Sequence, residues 1–150
     1  MTKDANPRVA VRAIIENADE DILLLKRQNS KHGNRRWCLP GGTLDRSQTL
    51  DECCVEETET ETGLSVIRIY PLFIHECPPR GGRVDHYLNH IYRVICKEGE
   101  VKVNKESSEG RYVHPRNMGH FNIAFGHDQA INMYLDEHRE EIEELIRAEN

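Results

Sequence analysis

A chain of 150 residues with 37% hydrophobic and 31% charged residues has the make-up of one globular domain, residues 1–150, large enough to enclose a real core. Its net charge of −6 and the lack of a basic stripe argue against a nucleic-acid polymer as partner. No apolar run is long enough to span a bilayer, and Met1 to Arg8 lacks a signal-peptide core, so the expectation is a cytoplasmic protein without a membrane partner.

In chain order, Arg8 to Ile15 predicts a strand, Asn17 to Asp21 a turn, and Ile22 to Leu25 a second strand, the two forming a hairpin. Gln28 to Arg36 reads as a polar loop, and Trp37 to Leu39 leads into the turn signal Pro40-Gly41-Gly42. Thr49-Leu50-Asp51-Glu52 is a capping box that starts a helix at Leu50, and Gly63 stops it. Ser65 to Tyr70 and Leu72 to Glu76 predict two strands, Cys77 to Arg83 a loop, and His86 to Cys96 a long strand. A short strand over Val101 to Val103 and a brief one over Arg111 to Val113 follow. A last helix starts near Asp128 and buries the face of Ile131, Tyr134, Leu135, His138, Ile142, Leu145 and Ile146. Strands, helix, strands, helix imply a mixed central sheet with helices packed on it.

The helix after Leu50 carries the strongest chemical signal. At about 100° per residue, Leu50, Cys53 and Cys54 mark an apolar stripe, and Glu57 and Glu61 fall within it. Glu52, Glu56 and Glu59 lie opposite. Carboxylates on the buried side of a helix are costly without a cation or donors to compensate them. Two of them one turn apart form half of a site for a hard cation, since Mg²⁺ and Ca²⁺ prefer oxygen ligands. The five cysteines show no framework spacing and read as reduced thiols; zinc at His75 and Cys77 lacks a completing set.

The segment Gly42 to Leu64 resembles the signature of the Nudix (MutT-like) hydrolases, in which Gly42, Glu57, Glu61, Gly63 and Leu64 fall on pattern positions. Trp37-Cys-Leu-Pro-Gly-Gly42 is similar to the family's lead-in, and Glu106 to Val113 to its late loop and strand. Four pattern positions differ: Gln48 and Thr60 stand where glutamates are usual, Glu56 where an arginine is usual, and Thr58 where an apolar residue is usual. The resemblance implies a Nudix-like α/β/α sandwich with a mixed central sheet. It implies Mg²⁺- or Mn²⁺-dependent hydrolysis of a nucleoside diphosphate linked to another moiety, with a small nucleotide or nucleotide-sugar as substrate. The alternative is a catalytically impaired Nudix-fold module that binds or senses a nucleotide.

Within that reading Glu57 is the principal metal ligand and Glu61 the second. Thr60 could hold a metal-bound water, Gln48 keeps a carbonyl oxygen, and Glu56 could supply a substitute acid, although the wheel points it to solvent. The base that activates water is Glu57 itself or, by the resemblance, Glu106 or Glu109. Gly41 and Gly42 allow close approach of backbone to ligand. Arg27, Arg35 and Arg36 are the candidate phosphate contacts, and Arg80 and Arg83 could flank a substrate loop. His86 and His90 share a strand face and read as packed residues. Trp37 either stacks on a base or, as is commoner before such a turn, belongs to the core. An oligomer is compatible with all of this.

Overall fold

The computed structural model describes residues 6–28, 34–78 and 86–150; Arg80 and Arg83 lie outside the described residues. Among the described residues seven strands form two sheets: β1 (Arg8–Ile14), β2 (Ile22–Arg27), β3 (Trp37–Cys38), β4 (Gly41–Thr43), β5 (Val66–Cys77), β6 (Tyr87–Cys96) and β7 (Ser107–Val113). The larger sheet runs β4-β1-β6-β5, and the smaller runs β3-β2-β7. β1 is parallel to β6, with Arg12 opposite Ile91, while β4 and β5 pair antiparallel. The mixed α/β sheet arrangement is the one the sequence predicts.

Period-two side-chain alternation accounts for two cores, one on each side of the sheets. Along β2, Ile22 and Leu24 face one way, toward Trp37, Leu39, Ile131 and Tyr134. Leu23 and Leu25 face the other, toward Cys53, Cys54, Leu64 and Tyr92. Helix α1 (Leu50–Thr62) covers the second side. The first side is covered by the C-terminal helical run, which consists of α2 (His127–Met133), a π-helical turn (Tyr134–His138) and α3 (Arg139–Ala148).

Helix α1 follows its local chemistry closely. The Thr49 hydroxyl accepts from the Glu52 N–H at 3.1 Å, and the Glu52 carboxylate accepts from the Thr49 N–H at 3.0 Å. Gly63, at φ 71°, closes the helix by donating its N–H to the Glu59 carbonyl. The π turn sits over a buried polar knot. Arg93 of β6 pairs with Glu16 at 3.0 Å and Glu143 at 2.8 Å, Arg139 pairs with Glu16 at 2.5 Å, and Tyr134 hydrogen-bonds both Arg93 and Glu16. Glu16, with its side chain 2% exposed, needs these partners, because a buried charge is stable only when paired.

Five local expectations are corrected. The hairpin of the first two strands reduces to the bridge Glu16–Ile22 and bonds from the Leu23 N–H to the Ile15 carbonyl and from the Asn17 N–H to the Asp21 carbonyl; β1 and β2 belong to different sheets. The two strands expected on either side of Pro71 are one, β5, with an irregularity between Pro71 and Phe73. It lies at a sheet edge, where a proline without an N–H is tolerated. Val101 to Val103 form no strand, whereas β7 starts four residues earlier than expected, at Ser107. Leu145, expected on the buried face of the last helix, is 45% exposed.

Candidate active site

The lead-in Trp37-Cys38-Leu39-Pro40 is fixed from both sides. Trp37 is core, edge-on to Phe121 with ring centroids 5.3 Å apart, which excludes it from stacking on a ligand base. The Leu39 N–H donates to His127 Nδ1 at 3.1 Å. Burial first, and the nearby Arg12 charge second, hold the His127 pKa well below its ordinary value, so its ring is neutral and can accept that bond.

Gly41 and Gly42 then form β4 rather than a free turn, and each leaves room for a neighbouring group. A Cβ on Gly41 would stand 2.0 Å from the Val11 carbonyl oxygen of β1. A Cβ on Gly42 would stand 2.5 Å from Glu57 Oε2 and 2.6 Å from its Cδ. The Glu57 carboxylate therefore rests directly on the bare backbone of Gly42. Helix α1 presents Glu57 half-buried and Glu61 buried, at 8% exposure, on the face turned to β4.

The two carboxyls are in hydrogen-bond contact, and Glu61 also accepts from the Gly41 N–H. Such a contact requires a shared proton, because two bare carboxylates repel. Burial, reinforced by Glu57 and Glu106 and opposed by Arg12, pushes the Glu61 carboxyl up to about 8. Burial and the charge of Glu106 raise Glu57 as well.

These acids line a cavity of about 540 Å³, within the range of small-molecule sites. Its walls bring together Glu57, Glu61, Glu106, Gly41, Gly42 and Arg27 from the sequence-derived set. They also add Arg12, Gln28, Tyr87 and Ser107, which sequence reasoning did not single out. Arg12 stands directly across from Gly41 in the β1–β4 pairing and donates to the Leu39 carbonyl at 3.4 Å. Its signal in the sequence is a charge among the apolar residues of a strand. Arg27 bonds the Cys38 sulfur and lies over the Phe125 ring, 4.9 Å from its centroid.

The remaining candidates lie elsewhere. Thr60 and Glu56 are exposed and do not line the cavity; Glu56 accepts instead from Gln48 Nε2 at 2.6 Å on the outer side of α1. Glu109 pairs with Arg111 at 3.0 Å. Arg35 is exposed, at φ 65°. Arg36 is tied to the Asn122 side chain and the Ile123 carbonyl and borders a separate cavity. His86 bonds Glu76 at 2.5 Å, in keeping with a packed role. Among the described residues no group of three or more His, Cys, Asp or Glu side chains is placed as a ready-made metal cage.

Comparison with known proteins agrees with this geometry. Residues 6–134 match the NUDIX domain family. An ADP-ribose pyrophosphatase of Methanocaldococcus jannaschii is 32% identical over 130 residues, covering 87% of this chain and 74% of that one. Among solved structures, a MutT protein from Methanosarcina mazei superposes with a TM-score of 0.73 at 22% identity, over 89% of this chain and 99% of the other. The NUDIX domain of Shewanella oneidensis NrtR, solved with ADP ribose, superposes at 0.74 and 19% identity, over 87% and 88%. The capped helix on its glycine strand, the acids it turns inward and the match over most of the length make this chain a member of the NUDIX family, the MutT-like pyrophosphohydrolases.

Proposed function

We propose that this chain hydrolyses the diphosphate of an ADP-sugar, ADP-ribose foremost, to AMP and a sugar phosphate, with Mg²⁺ or Mn²⁺ as cofactor. The observation that carries the proposal is the meeting of Glu57, Glu61 and Glu106 with Arg12 and Arg27 around one cavity. NUDIX hydrolases generally act with divalent ions, and the donor set fits one. Two carboxyls held in contact, half-buried and buried, with a glycine beneath them in place of a side chain, have oxygens only a proton or a hard cation can reconcile. The charge balance agrees: once a cation has displaced the shared proton, three carboxylates against two guanidiniums leave one negative charge, which the divalent ion reverses in favour of an anionic diphosphate. The name of the Methanocaldococcus relative and the ligand of the Shewanella domain support the choice of sugar nucleotide.

In the reaction the oxygen of water bonds to one phosphorus, and the bridging P–O bond breaks with its electron pair leaving on the departing phosphate. A bound cation would sit on Glu57 and Glu61, neutralise the phosphate oxygens and ease ionisation of the water. Glu106, on the approach to β7 and across the cavity from α1, is the residue we assign to take the water's proton. Arg12 and Arg27 offer planar donors to the diphosphate oxygens. The substituted positions Gln48, Glu56 and Thr60 do not line the cavity, and this reading gives them no role.

The test is product analysis with ADP-ribose, dinucleoside polyphosphates, NADH and nucleoside triphosphates under Mg²⁺ or Mn²⁺. AMP and ribose 5-phosphate are expected from ADP-ribose, with turnover abolished by Glu57→Gln. Tight binding without turnover on any of them would make the chain a nucleotide-binding module instead.

A further inference from the structure

A second cavity, of about 280 Å³, is lined by Arg36, His75, Cys77, Phe125, Gly126 and Gln129 among others. It adjoins the acidic one. The Arg27 guanidinium, which lines the acidic cavity, covers one face of Phe125, which lines this one. Cys77 on this side is also the β-ladder partner of Tyr87 on the other. A ligand with its diphosphate against Arg12 and Arg27 would extend its next group here.

Two features of the wall are unexplained by the fold. His75 is buried, at 6% exposure, and its Nδ1 has no hydrogen-bond partner. Its Nε2 lies 3.5 Å from Gln129 Oε1, on an otherwise exposed residue. Room for that pair is made by Gly126, where a Cβ would meet His75 Cε1 at 3.2 Å and Gln129 Oε1 at 3.5 Å. The orphan nitrogen selects the tautomer. The tautomer with its proton on Nε2 leaves only an acceptor, Nδ1, without a partner, which is the less costly orphan. That proton points at Gln129 Oε1 and fixes which way the amide faces. Gln129 then offers a second lone pair on Oε1 and two N–H donors on Nε2, beside the half-buried aromatic surface of Phe125.

We infer that this cavity holds the base of the substrate and that it reads an aminopurine of the adenine type, with Gln129 as the reading residue and His75 as the residue that orients it. A side-chain amide matches adenine in two bonds, its oxygen accepting from the exocyclic amino group and its nitrogen donating to the adjacent ring nitrogen. A 6-oxopurine presents an acceptor where Oε1 needs a donor, and turning the amide to suit it would cost the His75 hydrogen bond. This rests on the nucleotide-hydrolase reading for its placement, but its test does not need turnover.

The experiment is calorimetric titration of the whole chain, in Mg²⁺, with AMP, with IMP, and with inorganic pyrophosphate as the baseless control. AMP is expected to bind at least about tenfold tighter than IMP, the size of one well-made hydrogen bond. Gln129→Leu, a surface-exposed substitution that leaves folding intact, should raise the AMP Kd about tenfold and erase the preference. His75→Phe should narrow the preference with the amide still present, and pyrophosphate affinity should not change in either variant. Equal affinity for AMP and IMP in the unaltered chain, or AMP affinity indifferent to Gln129→Leu, would overturn the assignment even where ADP-ribose is still hydrolysed. Selective AMP binding in a chain that hydrolyses nothing would instead uphold the base site and sink the hydrolase reading.

Discussion

Replacing Gly42 with alanine separates the positioning of the acids from the stability of the fold. The added Cβ would lie 2.5 Å from Glu57 Oε2, 2.6 Å from Cδ and 3.0 Å from Cγ, where ordinary contact begins at 3.4 Å. The carboxylate has to retreat by about 1 Å, and a displacement of that size at a reacting centre costs about 10²-fold in rate. The obstacle is the end of one flexible, half-buried side chain, so the fold itself should lose less than about 1 kcal/mol. Gly41→Ala is the contrast, because its Cβ would meet the backbone oxygen of Val11 at 2.0 Å and strands β1 and β4 would have to part. The assay pairs ADP-ribose turnover with thermal melting on both variants. Gly42→Ala is expected to melt near the unaltered chain with kcat down about 100-fold, and Gly41→Ala to melt far lower or not fold. Full turnover in a folded Gly42→Ala protein would refute the placement of Glu57 as a working group.

Three further outcomes follow from the same structure. Because the Glu61 carboxyl is raised to about 8 from 4.5, the fold favours its protonated form; metal-free stability is full below about pH 4.5 and declines as pH rises through about 8. Melting curves in EDTA should show that decline, saturating Mg²⁺ should remove it, and Glu61→Gln should be insensitive to both. Arg93→Met leaves Glu16 buried with fewer partners and should cost about 3 kcal/mol in urea unfolding, since breaking a buried pair from one side strands a charge. Thr49→Ala removes half of the capping box and should cost about 1 kcal/mol, with no change in KM.

What the sequence made legible was whatever local chemistry decides. The Thr49 to Gly63 helix has its cap, its stop and its acidic inward face within one continuous stretch, and so could be placed to the residue. Pro71 misled because its effect depends on whether its strand is central or at an edge, a fact settled by pairing between β5 and β6. The first hairpin failed for the same reason: β1 finds its main partner in β6, far along the chain, and no turn signal encodes that. In the candidate site, Glu57 and Glu61 were visible by helical periodicity. Arg12, Tyr87, Gln129 and the neutral His127 are ordinary residues in sequence and acquire meaning only through the strands and helix they are brought against. The arginines chosen around the loop after β2 illustrate the converse. Arg27 lines the cavity with the acids, while Arg36 is drawn to the Asn122 side chain and the Ile123 carbonyl.

The grip of Glu57 and Glu61 on a divalent ion is open to direct measurement by titrating the chain with Mn²⁺ and following the free ion by its paramagnetic resonance. One or more tightly held ions are expected in the unaltered protein, with affinity weakened by at least about 10–100-fold in Glu57→Gln and in Glu61→Gln although both remain folded. Identical Mn²⁺ uptake by all three proteins would place the ion elsewhere and contradict the assignment of these two acids.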